Sequence, residues 1–283
     1  MSDVTEPLSG LAGREAEPTK ASGRLRRALG SPFARRAYVL ALLALVWQAV
    51  ALWQNNPILL PTFTQTAAAF ADSVANDGLG GYAFASVAVL LKGYLLAVAL
   101  ALVLVSLAVA NGFARDVLTT LTAMLNPLPA IALLPLAMLW FGLGEKSLIF
   151  VLVHAVLWPF ALAALSGFDS VPETLRLVGR NYGLKGPAYV AKILVPAALP
   201  AVLSGLKIGW AFAWRTLIAA ELVFGVTSRQ GGLGWFIFQN RNELLTDKVF
   251  AGLAAVIVIG LVVDGLLFRA VEAATVRRWG MQR

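Results

Sequence analysis

The sequence contains no cysteine and only one histidine, His154, among its 283 residues. The absence of cysteine excludes disulfide bonds, thiolate metal sites and cysteine nucleophiles together. A single histidine also excludes a histidine-rich metal centre. We therefore expect the chain to hold no metal ion of its own.

Charged residues are also scarce: they make up 13% of the chain, whereas hydrophobic residues make up 59% and the mean hydropathy is +0.77. Soluble domains contain about 25% charged residues, so the composition indicates a polytopic membrane protein. The net charge of +8 is compatible with nucleic acid as a partner. In a membrane protein, a basic excess more often reflects cytoplasmic loops and anionic lipid, and we expect no nucleic-acid partner.

Residues 1–36 are rich in glycine, serine, alanine, proline and charge, and they show no apolar periodicity. The glutamates Glu6, Glu15 and Glu17 come early, and a cluster of arginines comes late: Arg24, Arg26, Arg27, Arg35 and Arg36. This pattern predicts a disordered cytoplasmic tail that ends in a basic patch beside the membrane. The transmembrane domain is then expected to cover residues 37–280.

Six apolar blocks follow the tail, and each is long enough to cross most of a bilayer. The predicted spans are residues 37–53, 93–110, 117–144, 147–168, 196–224 and 249–268. Region 54–91 contains no lysine or arginine, which places it outside, whereas the basic loop 168–192 and both termini are expected in the cytoplasm. Arg229, Arg241 and Lys248 are exceptions to this bias.

Local patterns add detail to these spans. The third span contains Pro127, Pro129 and Pro135. Because proline lacks an N–H donor and clashes with the preceding turn, this span must be kinked or broken. Gly205 and Gly209 predict a helix-contact face on the fifth span. Region 64–74 is predicted to be a short amphipathic helix on the membrane surface, with its start at Pro61 to Thr64.

The loop 168–192 is the longest polar interval between the apolar blocks. Its basic residues Arg176, Arg180, Lys185 and Lys192 outnumber its acidic residues Asp169 and Glu173. Gly183 divides the loop into a short helix, a turn and a second helix start. The pattern predicts a docking element on the cytoplasmic face; a solvated basic connector is the alternative.

This loop resembles the signature of the permease subunits of bacterial ATP-binding-cassette (ABC) importers, in the branch for nitrate, sulfonate, taurine and bicarbonate uptake. That signature is Glu-Ala-Ala, three residues, Gly, nine residues, then Ile-x-Leu-Pro. Gly183 and Ile193 match it, Val195-Pro196 stands for Leu-Pro, and Leu177-Val178-Gly179 departs from Glu-Ala-Ala. Further matches are Pro127 to Pro135, Trp140 to Gly144, Ala213-Trp214, Ala220-Glu221, Gly231 to Trp235 and Arg278-Trp279.

The resemblance implies an all-α type I ABC importer permease fold with six transmembrane helices, in the bacterial inner membrane. It implies a homodimer with the pathway on its two-fold axis, two ATPase subunits and an extracytoplasmic binding protein that delivers the substrate. The residues implied in contact with the ATPase are Arg180, Asn181, Tyr182, Gly183, Leu184 and Lys185. The chain lacks the Gly-x-x-x-x-Gly-Lys-Ser/Thr loop, so ATP and Mg²⁺ are expected on the separate ATPase and no cofactor on this chain.

Arg215 is the strongest candidate for the substrate pathway. It lies about 12 Å from Lys207 along the fifth span, near the membrane centre, where an arginine normally faces a cavity or a partner. It is predicted to bind the anionic group of a sulfonate, taurine, nitrate or organic carboxylate by forked hydrogen bonds. The alternative is a structural pair. A direct pair with Glu221 is a poor fit, because the two helical phases differ by about 120°.

The remaining pathway candidates each carry an alternative. Glu221 lies on one stripe of the fifth span with Trp214. It either forms an outer gate or contacts the delivering protein; the alternative is an interfacial carboxylate that faces water. Trp140 and Phe141 either narrow the channel or pack between helices. His154 and Trp158, one turn apart, either line the cavity or hydrogen-bond to a neighbouring helix.

The function predicted from these residues is that of a pore-forming subunit, not an enzyme, in an ATP-driven importer of a small anion. A stand-alone secondary transporter is the alternative; a missing internal repeat and scarce buried carboxylates argue against it. An intramembrane enzyme is disfavoured because Gly-x-Ser-x-Gly and His-Glu-x-x-His are both absent.

Overall fold

The computed structural model describes residues 32–184, 186–224 and 231–277. Most of the predicted tail, as well as Lys185, Arg229 and the pair Arg278-Trp279, therefore lies outside the described residues. The chain divides at Asn55 into two units. The first contains one described helix, α1 (Pro32–Gln54), whose leucine and valine side chains are mostly exposed, as contact with lipid requires.

The second unit is built from helices, and the described residues contain no strand. In chain order they are α2 (Phe63–Ala75), α3 (Leu79–Ala110), α4 (Gly112–Leu125), α5 (Leu134–Phe141), α6 (Glu145–Asp169), α7 (Glu173–Asn181), α8 (Val195–Phe224), α9 (Leu233–Asn242) and α10 (Thr246–Val262). A 3₁₀ turn, Ala130–Leu133, precedes α5. A helical turn, Gly186–Tyr189, and a π-helical turn, Val190–Leu194, lead into α8. Helical residues Val263–Phe268, Arg269–Glu272 and Ala273–Arg277 continue α10.

Five of the described helices are long and apolar enough to cross a membrane, and a bent pair completes a sixth span. That pair is α4 with the segment Ala130–Phe141, which meet at an angle of 91°. The break falls at Pro127 and Pro129, where two backbone donors on either side of Leu128 are missing. The predicted six-span, all-α fold and the broken third span are thus confirmed.

Helix α6 lies at the centre of the second unit and packs against both α3 and α8. Glycines allow the close approach. A Cβ atom on Gly93 of α3 would lie 2.7 Å from Cβ of Leu152, and one on Gly205 of α8 would lie 2.7 Å from Cβ of Ala163. Gly209 contacts α6 one turn further along. The predicted glycine contact face of the fifth span is therefore confirmed.

Two ion pairs hold the ends of α6. One joins the first residue of α6 to α3, and the other joins its last residue to the start of α4. Lys92 Nζ lies 2.6 Å from Glu145 Oε1 at one end, and Arg115 pairs with Asp169 at the other. Glu145 and Asp169 are about 36 Å apart along α6 at the rise of an α-helix. The hydrocarbon core of a bilayer is about 30 Å thick, so the two pairs bracket a membrane-sized apolar layer.

Further ion pairs lie near the two ends of the last span. Lys207 of α8 pairs with Glu272 beyond α10. Lys248, at the start of α10, lies 2.7 Å from Asp77 in the turn before α3. The hydrogen bond from the Lys248 ammonium lowers the pKa of the Asp77 carboxyl below its ordinary value. These contacts tie the last span to its neighbours outside the apolar layer.

The structure corrects three boundaries. Helix α3 begins at Leu79 rather than at residue 93, because the helix continues past the apolar block. The turn before α6 falls on Gly142 to Gly144, both at positive φ, inside the predicted third span 117–144. The region between the fifth and sixth predicted spans contains α9, whose Leu233, Phe236 and Ile237 side chains are buried. The surface helix α2 has the predicted start, where Thr62 and Gln65 form a capping box.

Replacement of Gly205 by alanine is expected to destabilise the transmembrane unit by about 1–3 kcal/mol, because the new methyl group overlaps Ala163 on α6. Gly81→Ala is the matched control, since a Cβ at Gly81 meets no atom within 4 Å. Thermal unfolding in detergent gives the melting temperature of each variant. Equal melting temperatures for the two variants would contradict the packing described above.

Candidate functional site

A cleft of about 330 Å³ opens where the third span is broken. Its walls are the break itself, the middle of α6 and the middle of α8. The lining residues are Asn126, Pro127, Leu128, Pro129, Ala130, Ile131, His154, Ala155, Trp158, Pro159, Phe212, Arg215, Thr216 and Ala219. Three of the predicted pathway residues, His154, Trp158 and Arg215, therefore meet in one cleft.

Arg215 is the only charged residue among the described residues that line this cleft. Its Nε donates a hydrogen bond to the Ala211 carbonyl at 3.0 Å, and its guanidinium carbon lies 5.0 Å from the centre of the Phe212 ring. These contacts hold the stem along α8 and leave both terminal amino groups for a further acceptor. Arg215 contacts its own helix and not Glu221, as the helical phases predict.

His154 bridges α6 to the broken span. The Trp158 Nε1–H, which can only donate, points to His154 Nδ1 at 3.1 Å, so the other ring nitrogen carries the proton when the imidazole is neutral. The imidazole also lies within hydrogen-bonding reach of the Leu128 and Leu125 backbone. Because Pro129 has no N–H, the Leu125 carbonyl lacks its usual helical donor and accepts the Leu128 N–H at 3.2 Å instead. Both predicted roles fit this geometry, since His154 lines the cleft and also lies against the backbone of the neighbouring segment.

Prolines face the cleft from two directions, and each removes the N–H that would complete a helical hydrogen bond. Pro127 and Pro129 lie in the break, and Pro159 lies inside α6. Pro159 removes the donor that would pair with the Ala155 carbonyl, and Ala155 also lines the cleft. Irregular backbone at membrane depth is tolerated where it lines a cavity. The sequence prediction included the first two prolines and missed Pro159. Its position inside the predicted span 147–168 is the signal that could have identified it.

The other four predicted pathway residues lie elsewhere. Trp214 and Glu221 are buried on the opposite side of α8 from the cleft. Trp140 and Phe141 end α5, where their rings contact each other and Phe150 edge-on or tilted. Both rings are about half exposed, so they are available for contacts beyond the chain.

Glu221 joins three helices in the buried interior. Its carboxylate oxygens lie 2.9 and 2.8 Å from Ser86 Oγ of α3, and one of them accepts the Gly234 N–H of α9 at 2.9 Å. The Leu233 N–H donates to Ser86 Oγ at 2.8 Å. The alternative of an interfacial carboxylate that faces water is wrong, since Glu221 is 2% exposed. Ser86 was missed because it lies ahead of the predicted second span.

The loop after α6 forms the predicted helix, turn and second helix. Gly183 has φ +71°, and its N–H bonds to the Arg180 carbonyl at 2.9 Å while the Leu184 N–H bonds to the Gly179 carbonyl at 3.1 Å. These two bonds form a Schellman motif, which favours glycine at the left-handed position. Gly183 therefore makes the turn, as predicted from the sequence.

Several residues predicted to contact the ATPase are displayed at this turn. Asn181 is exposed, Tyr182 is 82% exposed and Leu184 is half-buried. Arg180 is exposed and lies 4.0 Å from Glu173. Lys185 lies outside the described residues.

The departure from Glu-Ala-Ala has a structural consequence. Gly179 is buried, and a Cβ there would lie 2.8 Å from the Tyr189 ring and 2.9 Å from Ile193. Leu177 is 48% exposed and Val178 is similarly exposed. Helix α7 thus presents an apolar surface where the family signature has an acidic residue.

A cysteine at Thr216 is expected to react faster with an anionic methanethiosulfonate reagent than with a cationic one, because Arg215 makes the cleft positive. Arg215→Gln should reduce this ratio by roughly 25-fold, because an interaction of about 1 kcal/mol between two charges in water changes each of the two rates by about fivefold, in opposite directions. The chain has no native cysteine, so each rate belongs to one site. Ala220→Cys, at a position that is 1% exposed, is the unreactive control. Equal rates for both reagents would contradict a positive cleft.

Comparison with known proteins places these features in a family. The family model described as "Binding-protein-dependent transport system inner membrane component" matches residues 93–274. A putative ABC transporter permease protein of Methanocaldococcus jannaschii is 32% identical over 79% of this chain and 84% of its own length.

Two further relatives have names that state a substrate. The nitrate import permease protein of Synechocystis is 30% identical over 81% of this chain and 85% of its own length. A putative aliphatic sulfonates transport permease protein of Bacillus subtilis is 29% identical over 80% of this chain and 81% of its own length. The extent of these matches shows that the chain belongs to the family of binding-protein-dependent inner membrane components, the permeases of ABC transport systems.

Proposed function

We propose that the chain is the transmembrane subunit of an ATP-driven importer and forms the path of a small anion. The observation that carries this proposal is the cleft at the broken span, in which Arg215 is the one charged lining residue that the structure describes. An arginine near the membrane centre costs at least about 2.5–3.5 kcal/mol on insertion scales. A role in anion passage gives a reason for that cost.

The chemistry of the cleft favours an anion without a positive group. Among the described lining residues there is no aspartate or glutamate, so an ammonium group would find no carboxylate. Most of the lining is apolar, including Ile131, Trp158 and Phe212. A sulfonate or carboxylate with an uncharged, apolar body fits this lining better than taurine does. The forked donors of Arg215 match either head group.

The surface of α8 supports a path shared by two copies of the chain. Ile208, Phe212, Arg215 and Val223 are exposed, and their spacing places them on one stripe of the helix. The opposite stripe is buried in the unit's own core. Two copies that face each other through the exposed stripe would place two Arg215 side chains beside one axis, as expected for a homodimer.

The energy supply is proposed to come from two separate ATPase subunits, which hold ATP and Mg²⁺. The turn at Gly183 displays Tyr182, and α7 displays Leu177 and Val178, so the ATPase groove is expected to accept apolar side chains here. Burial of these side chains would provide the affinity that the missing glutamate does not. Arg176 donates to the Phe168 and Val171 carbonyls at 2.6 and 3.1 Å, which ties α7 to the end of α6 so that the loop moves with the span.

Sidedness follows from the charge bias of the sequence. The loop that contains α7 is basic, so we place it and both termini in the cytoplasm. The opposite end, with α2 and α9, then faces the binding protein that delivers the substrate. The membrane is accordingly the cytoplasmic membrane.

Reconstituted transporter, with its ATPase and binding protein, tests the proposal through Arg215. Arg215→Gln should reduce the uptake of an alkanesulfonate by about tenfold or more, and Arg215→Lys by less, because lysine keeps the charge but not the fork. Arg269→Gln, beyond α10, exposed and outside the cleft, is the matched control. Uptake that survives Arg215→Gln would contradict the anion path, and uptake without the ATPase would favour the stand-alone transporter.

A further inference from the structure

Glu221 is a buried ionisable residue that the proposed anion path does not use. It lies about 21 Å from Lys207 along α8, at the rise of an α-helix, and it faces away from the cleft. A buried carboxylate, here 2% exposed, is costly unless it accepts hydrogen bonds and lies in a positive potential. Its surroundings therefore have to supply both.

The N-terminus of α9 supplies them. Leu233 and Gly234 are the first two residues of this helix, and the N–H groups of a first helical turn have no partner inside the helix. The Leu233 N–H donates to Ser86 Oγ, and the Gly234 N–H donates to Glu221. The positive end of the helix dipole also favours a carboxylate at this place.

The cap of α9 comes from other helices and not from its own sequence. The residue at the N-cap position is Gly232, which has no side chain and forms no side-chain cap. Ser86 on α3 and Glu221 on α8 take the place of that cap, and their side chains bond to each other. The cap therefore exists only when α3, α8 and α9 have their present relative positions.

Two glycines make room for this arrangement. A Cβ atom on Gly232 would overlap the Glu221 carboxylate, and one on Gly234 would overlap Glu221 Cβ and lie 2.9 Å from the Ile218 carbonyl oxygen. The backbone at the start of α9 thus packs directly on the Glu221 side chain. The glycine-rich segment before α9 is explained by this contact.

Glu221 shares helix α8 with Arg215, six residues earlier, and the two face directions about 120° apart. A rotation of α8 that turns Arg215 relative to the cleft would also carry Glu221 away from Ser86 and Gly234. The cap would then be lost, and α9 would keep only its packing contacts.

We propose that Glu221 and Ser86 are positioning residues that dock α9 by capping it from two neighbouring spans, and that movement of α8 during transport releases this dock. Glu221 acts on α9 and does not contact the substrate. The docking holds whether or not the chain transports an anion. The release during the transport cycle rests on the proposed function.

The absence of native cysteine allows the docking to be measured with a single reporter. Ile237→Cys places a thiol on the face of α9 that is 3% exposed, so a thiol reagent reaches it only when α9 separates from its neighbours. Gln239→Cys, on the exposed face of the same helix, is the control for reagent access. Each reporter is combined with Ser86→Ala, with Glu221→Ala and with both.

Loss of a cap should increase the labelling rate of Ile237→Cys by about tenfold, within the range measured for helix caps. Because both residues act through one cap, the double variant should label little faster than the faster single variant. Glu221→Gln, which keeps one acceptor oxygen for Gly234, should restore most of the protection. Unchanged labelling, or effects of the two substitutions that multiply, would overturn the docking.

The release is tested in the full transporter with its ATPase. Labelling of Ile237→Cys should differ by about threefold or more between the nucleotide-free state and the vanadate-trapped state, and this difference should vanish in the Ser86→Ala, Glu221→Ala background. Equal rates in the two states would overturn the release and leave the docking intact. A preparation in which the ATPase neither binds nor drives uptake would instead overturn the proposed function.

Discussion

The close approach of α3 and α8 to the central helix α6 is the constraint on which the rest of the structure depends. In lipid, helices gain little from burying apolar surface, so small residues that allow backbone contact decide which helices meet. Gly93 and Gly205 place the two neighbouring helices directly on α6. The ion pairs at the two ends of α6 fix its register against the bilayer. The broken span, the cleft and the capped α9 all take their positions from this central packing.

Arg215 and Glu221 are two ionisable residues of the same span, and the structure places them in different surroundings. Arg215 lies in an open cleft beside a break in the backbone, where it can meet a ligand. Glu221 is enclosed, with its charge met by a hydroxyl and a helix N-terminus. One helix, α8, carries both groups. The side open to solvent is therefore suited to the passage of an anion, and the closed side holds α9 against α3 and α8.

Much of this architecture could be predicted from the sequence, because membrane spans, proline breaks and a glycine turn depend on local residues. The turn at Gly183 and the break at Pro127 are of this kind. The contacts of Glu221 could not be predicted, since they join residues 135 positions apart and depend on how three helices pack. Helix α9 was missed because its mixed sequence resembles a loop until tertiary packing buries one face.

Co-purification of the tagged chain with its proposed ATPase tests directly whether the ATPase binds this permease through the loop at Gly183. Gly183→Pro cannot adopt the left-handed backbone, whereas Gly183→Asn tolerates it. We expect a stoichiometric complex for the native chain and for Gly183→Asn, and loss of the complex for Gly183→Pro. A stable native chain that binds no ATPase, or a Gly183→Pro variant that binds it equally well, would contradict coupling through this loop.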